Sequence, residues 1–141
     1  MPFDETMFLK QSVDILSFFN EEQLRKVTPD IERMQYKKDQ SVVFRGEMSN
    51  GFYVIKNGGV IATLKDPKAP ATTLKKGDFF GALSLLLDQP SDVQIKASED
   101  NTEIMMIPID SFNKLLAMQP LLKNSILKKV EERKAQEPPK K

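Results

Sequence analysis

Residues 80–97 read FGALSLLLDQPSDVQIKA. Phe80-Gly81 makes a turn, because glycine reaches positive φ at little steric cost. Ala82 to Leu87 is a short apolar segment of helical character. Pro90 interrupts it, and Val93, Ile95 and Ala97 then alternate with polar residues as a strand does. Turn, short helix and strand in this order is the layout of a loop that holds an anion at the start of a helix. The charges contradict the layout: the stretch carries Asp88 and Asp92 against a single cation, Lys96.

Working outward, the flanking sequence is dense in short strands and turns. Upstream, Ile31–Tyr36, Ser41–Phe44, Phe52–Ile55, Val60–Leu64 and Thr72–Leu74 are predicted strands. They are separated by the turn clusters Arg45–Gly51, Asn57–Gly59 and Lys75–Asp78, and by a loop over Asp66–Ala71. Downstream, Thr102–Ile107 is a further strand after the polar turn Ser98–Asn101. Residues 3 to 28 have helical spacing through Leu9, Val13, Leu16 and Phe19. Within them, Asn20 with Gln23 three positions on has the form of a capping box that starts a short helix ending near Pro29. Asp110 or Ser111 is predicted to cap a helix presenting Phe112, Leu115 and Leu116. Pro120 is predicted in the first turn of a last helix that carries Leu122, Ile126 and Val130 at four-residue spacing. Helices, many short strands, then helices predicts a mainly β domain with flanking α-helices.

Composition limits the function classes. The chain of 141 residues contains no Cys and no His, which removes disulfides, thiolate sites, the commonest general base and the His-based triads. Net charge is +1, so no whole-protein field draws it to nucleic acid, and no apolar run approaches a membrane span. A cytoplasmic, non-enzymatic protein is expected, with no metal site, no nucleic-acid partner and no membrane contact. An enzyme working through carboxylates alone is the remaining catalytic alternative.

The ordered motifs resemble the cyclic nucleotide-binding domain family. Gly46-Glu47-Met48-Ser49-Asn50-Gly51-Phe52-Tyr53-Val54-Ile55-Lys56-Asn57-Gly58-Gly59-Val60 is similar to that family's Gly-Asp-x-Gly-Asp-x-x-Tyr-x-Ile-x-x-Gly-x-Val run, with Ser49 and Asn50 departing from it. Lys76-Gly77-Asp78-Phe79-Phe80-Gly81 resembles its Gly-Asp-x-Phe-Gly lead into the phosphate-binding cassette. The likeness runs over roughly residues 12–133. It implies a jelly-roll β-barrel over about residues 30–108, helices at both ends, one domain over 1–134 and a charged, proline-containing tail over 135–141.

The resemblance also implies a ligand site, and there the sequence departs. Phe80, Gly81, Leu83 and Pro90 keep the family's frame. Ala82 stands where a Glu would bind the ribose hydroxyl, Ser91 where an Arg would pair with the phosphate, and Gln94 where a Thr or Ser would reach base or phosphate. Asp92 replaces a small apolar residue and would repel a phosphate if it faced inward. A hydrogen bond to a charged group contributes about 1.5–3 kcal/mol, and a desolvated phosphate left without its partner costs about 2–5 kcal/mol. A combined loss of roughly 4 kcal/mol is about a thousandfold in affinity. Backbone N–H groups from Gly81 to Leu83 would still attract an anion weakly, and Arg45 or Lys96 are the candidate replacement cations. Strand alternation puts Lys96 on the face of Asp92 and Gln94.

The expected function is therefore a stand-alone regulatory or protein-interaction module that keeps the fold and has lost canonical cyclic AMP or cyclic GMP binding. The alternative is a sensor that binds a cyclic nucleotide or another anion through the altered pocket Phe80, Gly81, Ala82, Leu83, Pro90, Ser91, Asp92 and Gln94. No cofactor is expected, and a cyclic nucleotide stands only as that alternative ligand. A protein partner is expected without being named by the sequence. Leu122, Ile126 and Val130 suit either a homodimer contact or packing on the chain's own barrel. Phe79-Phe80 and the methionines are read as core, and the basic stretch from Lys123 to Lys141 as a solvated helix face.

Overall fold

The computed structural model describes residues 4–64, 68, 71–91 and 93–136, with side chains as far as residue 131. Among the described residues, eight strands form two four-stranded antiparallel sheets that face each other in jelly-roll order. One sheet runs β1 (Glu32–Tyr36), β8 (Thr102–Pro108), β3 (Gly51–Asn57), β6 (Phe79–Phe80). The other runs β2 (Ser41–Val43), β7 (Val93–Ala97), β4 (Gly59–Leu64), β5 (Thr72–Lys75). The described residues also form five α-helices: α1 (Glu5–Ser12), α2 (Glu21–Arg25), α3 (Ala82–Leu87), α4 (Ile109–Met118) and α5 (Leu122–Gln136).

Side-chain alternation along β3 explains the layering. Tyr53 and Ile55 point between the sheets, where they meet Val60, Leu74, Phe80, Ile95, Ile104 and Met106. Phe52 and Val54 point the other way, into a helical layer with Leu9, Leu16, Phe19, Phe79, Met105, Ile107, Phe112 and Leu115. Residues Gly51 to Ile55 are buried on both faces, so this strand reads as a continuous apolar run rather than an alternating one. Phe79 stacks on Phe52 in the helical layer with ring centroids 5.3 Å apart, and Phe80 stacks on Tyr53 between the sheets at 4.9 Å. Both rings are core, as expected.

The N-terminal region is more broken than its spacing suggested. Helix α1 stops at Ser12, a 3₁₀ turn covers Asp14–Leu16, and a second covers Thr28–Asp30. The capping box is present: Gln23 N–H donates to Asn20 Oδ1 at 2.8 Å and Asn20 N–H to Gln23 Oε1 at 3.1 Å. Arg33 on β1 clamps Glu5 of α1 with two hydrogen bonds, of 2.8 and 2.7 Å.

Two expectations about the C-terminal helices need correction. Helix α4 begins at Ile109, directly after β8, and neither Asp110 nor Ser111 caps it. Ser111 is buried inside α4 and its hydroxyl donates to Asp30 Oδ2 at 3.1 Å, tying the helix to the turn before β1. Pro120 lies in the turn before α5 rather than in the helix, because Leu122 N–H closes that turn on the Gln119 carbonyl at 2.9 Å. The apolar stripe of α5 faces inward. Leu122 and Ile126 are buried in the helical layer and Val130 packs against it, so the chain's own fold already occupies the surface that a homodimer would have used. Met105 and Met106 are core, whereas Met48 is half exposed. Most of the loop expected over 66–71, and the tail beyond Gln136, lie outside the described residues. No helix among the described residues is long and apolar enough to cross a membrane.

Candidate functional site

The cassette starts where β6 meets α3. Gly81 is the N-cap of α3 with φ +85°, left-handed geometry that a residue with a Cβ adopts only at a cost. A Cβ there would also lie 2.8 Å from Tyr53 Cδ1 and 3.0 Å from the Gly51 carbonyl oxygen. Glycine is therefore required twice over, by conformation and by close approach. Helix α3 ends at Asp88, itself left-handed with φ +51°. The Ser84 hydroxyl then bonds the Gln89 carbonyl oxygen and holds the return towards Pro90.

Ser91 is pinned by its backbone. Its carbonyl accepts from Gly46 N–H at 2.8 Å and its N–H donates to the Glu47 carbonyl at 2.9 Å. Its hydroxyl turns onto Val93, donating to the carbonyl at 2.9 Å and accepting from the N–H at 3.2 Å. The side chain that stands at the expected phosphate-pairing position is thus consumed by a local turn.

Between α3 and the start of β7 lies a cavity of about 140 Å³. Of the eight site residues expected from the sequence, Gly81, Leu83, Pro90 and Ser91 line it. Phe80 does not, because it faces the space between the sheets against Tyr53. Ala82 is 1 % exposed and packs into the helical layer. Gln94 is engaged elsewhere: its Oε1 accepts from Arg45 N–H at 3.1 Å and its Nε2 donates to Ser41 Oγ at 3.2 Å. Asp92 lies outside the described residues. Ser84, Leu87, Gln89 and Val93 are the other described lining residues and were not singled out from the sequence. Helical spacing from Leu83 to Leu87, and the inward phase of Val93 beside Ile95, were the available signals.

Neither replacement cation lines this cavity. Lys96 is exposed on the face of β7 opposite the buried Ile95 and Ala97, sharing that face with Gln94. The Arg45 guanidinium donates to the Thr63 carbonyl at 3.1 Å. Among the described residues, the lining is uncharged. Leu87, on the lining, is 49 % exposed. Inside the barrel, burial pushes the pKa of both Tyr36 and Tyr53 up, and Tyr53 is raised further by its neighbours Tyr36 and Glu32.

The fold is thus a jelly roll with helices packed on one sheet and a glycine-capped short helix feeding a return strand. The chain belongs to the cyclic nucleotide-binding domain family, whose model matches residues 33–119. It is similar to cAMP-dependent protein kinase regulatory subunits. The identity is 32 % over 109 residues with that of Debaryomyces hansenii, covering 77 % of this chain and 24 % of the relative. It is 27 % over 106 residues with that of Aspergillus fumigatus, covering 75 % and 25 %. The chain thus spans about a quarter of the length of these curated relatives. Among solved structures, cAMP-bound PfPKA-R superposes with a TM-score of 0.80 at 25 % identity, over 93 % of this chain and 44 % of that one. The regulatory subunit of a cAMP-independent protein kinase A from Trypanosoma brucei shares the fold, with a TM-score of 0.75 at 17 % identity over 89 % and 45 %.

Proposed function

We propose that this chain is a non-enzymatic regulatory module that works through protein contacts in the cytoplasm and has lost canonical binding of cyclic AMP and cyclic GMP. The observation that carries this reading is the chemistry of the cassette. Its described lining is uncharged, Ser91 spends its hydroxyl on Val93, and Ala82 is packed into the core. A cyclic phosphate carries a full negative charge, and a desolvated charge without a pairing cation is unfavourable by several kcal/mol, roughly. The cavity of about 140 Å³ is also below the range of roughly 300–1,000 Å³ usual for small-molecule sites. Likeness to kinase regulatory subunits supports the regulatory role and points to a protein as the partner.

Thermal unfolding and calorimetric titration with cyclic AMP, cyclic GMP and cyclic dinucleotides test the loss. Ligand at a hundred times its dissociation constant stabilises a protein by about 2.7 kcal/mol. No shift at millimolar ligand is the expected result. A clear shift with any of these compounds overturns the proposal in favour of a sensor with an altered pocket.

A further inference from the structure

Away from the cassette, the 3₁₀ turn Asp14–Leu16 and helix α5 enclose a second concavity, of about 220 Å³, lined by Asp14, Ile15, Phe18, Ser125, Lys128 and Lys129. Two neighbouring phenylalanines are treated differently there. Phe19 is fully buried, whereas Phe18 is 42 % exposed with its ring centroid 5.0 Å from that of Phe19. Leu121, 67 % exposed, lies in the turn just before α5, its carbonyl accepting from Ser125 N–H at 3.0 Å. The cleft therefore sets one half-exposed ring, Phe18, beside the buried Ile15.

Its rim is basic. Lys128 has no ion pair among the described residues. Lys129 Nζ reaches Asp14 Oδ2 at 3.4 Å, but the Asp14 side chain is 84 % exposed, so that pair is open to exchange. Two lysines thus line the cleft beside one exposed ring, against one carboxylate among the described lining residues.

We propose that this cleft docks an acidic protein segment bearing one aromatic anchor, the ring seated against Phe18 and Ile15 and its flanking carboxylates on Lys128 and Lys129. Charge complementarity selects the occupant. A bare polyanion would use the lysines and leave Phe18 unemployed, whereas an anchored acidic segment uses both.

The test is fluorescence anisotropy of the full chain with a labelled 13-residue probe of alternating Asp and Glu around a central Phe. The same peptide with Ala at its centre, and unlabelled heparin, serve as comparisons. Amide shifts by NMR report the location. The expected result is saturable binding that weakens about tenfold or more in Phe18→Ser, in Lys128→Glu and for the Ala-centred peptide, and that falls with added salt. Shifts should be confined to residues 14–18 and 121–129, with Ser91→Arg leaving binding unchanged. Lys128 is a surface residue, so Lys128→Glu retains the fold even if Phe18→Ser loosens the turn. Absence of binding at millimolar probe overturns the proposal. Indifference to the central Phe or to Phe18 overturns it too, as does heparin binding at the same rim with equal affinity in Phe18→Ser, which would assign the surface to polyanions.

Discussion

Replacing Ser91 by Arg puts the chemical argument for the cassette at risk. The position is held by two backbone bonds to Gly46 and Glu47, so a new side chain there leaves from a fixed point on the cavity wall. Wild-type Ser91 contributes a local turn through its hydroxyl, and losing that costs about 1 kcal/mol of stability. In return, a guanidinium beside a cyclic phosphate makes a charge-assisted bond of about 1.5–3 kcal/mol, roughly ten- to over a hundredfold in affinity. Ala82→Glu, the other change suggested by the family pattern, behaves differently. Ala82 is 1 % exposed within the helical layer and is not on the cavity wall. A carboxylate there is buried without a partner and costs about 3–5 kcal/mol unless the cassette rearranges to let it out. Calorimetric titration with cyclic AMP, paired with urea unfolding of each variant, separates the two effects. Ser91→Arg should stay folded and acquire measurable binding, Ala82→Glu should unfold at clearly lower urea, and the double variant should gain affinity only at the expense of stability. A Ser91→Arg protein as stable as the wild type that gives no heat at millimolar cyclic AMP would refute the assignment of the loss to this cation.

Thr102 is fully buried, and its hydroxyl lies 2.8 Å from the Glu99 carbonyl oxygen and 3.2 Å from that of Gly59. Thr102→Val keeps the shape and strands those groups, so urea unfolding should show a loss of about 1–3 kcal/mol. Gly81→Ala must place a Cβ in left-handed backbone against Tyr53, and thermal unfolding should report a destabilisation of at least about 1–2 kcal/mol. Tyr53 ionises above its ordinary value of 10.0 because it is buried. Its neutral form therefore supports the fold below about pH 10, and that support is lost as pH rises towards the elevated folded value, because the unfolded chain releases the proton first. Tyr53→Phe should flatten the alkaline fall in stability measured by denaturant titration between pH 9 and 11, roughly.

Seven of the eight described strands were legible because turn residues and apolar runs bracket them; β6, the two residues Phe79 and Phe80 before Gly81, was read as the start of a turn. Thr72–Leu74 was found to within a residue, as was the capping box at Asn20. What escaped were features decided by contacts distant in sequence. Ser111 looks like a cap but is drawn inward by Asp30, 81 positions away. Leu122, Ile126 and Val130 form a stripe that serves a dimer or a core equally well, and only packing against the helical layer distinguishes the two. The cassette divides in the same way. Its frame, Gly81, Leu83 and Pro90, was readable as shape. That Ala82 faces the core and Gln94 bonds Ser41 depended on phase and partners that a motif does not encode.

The sheet of β1, β8, β3 and β6 is a party wall, with the interior of the barrel on one side and the helical layer on the other. Neither room can be vacated while its neighbour stands, since Tyr53 and Ile55 leave with Phe52 and Val54. The amides of β3 and β8 should therefore exchange with solvent only through global opening and share one protection energy. Ser91 and Gln89, outside both rooms, can change without touching the wall. A chain built this way can discard its ligand and keep its architecture.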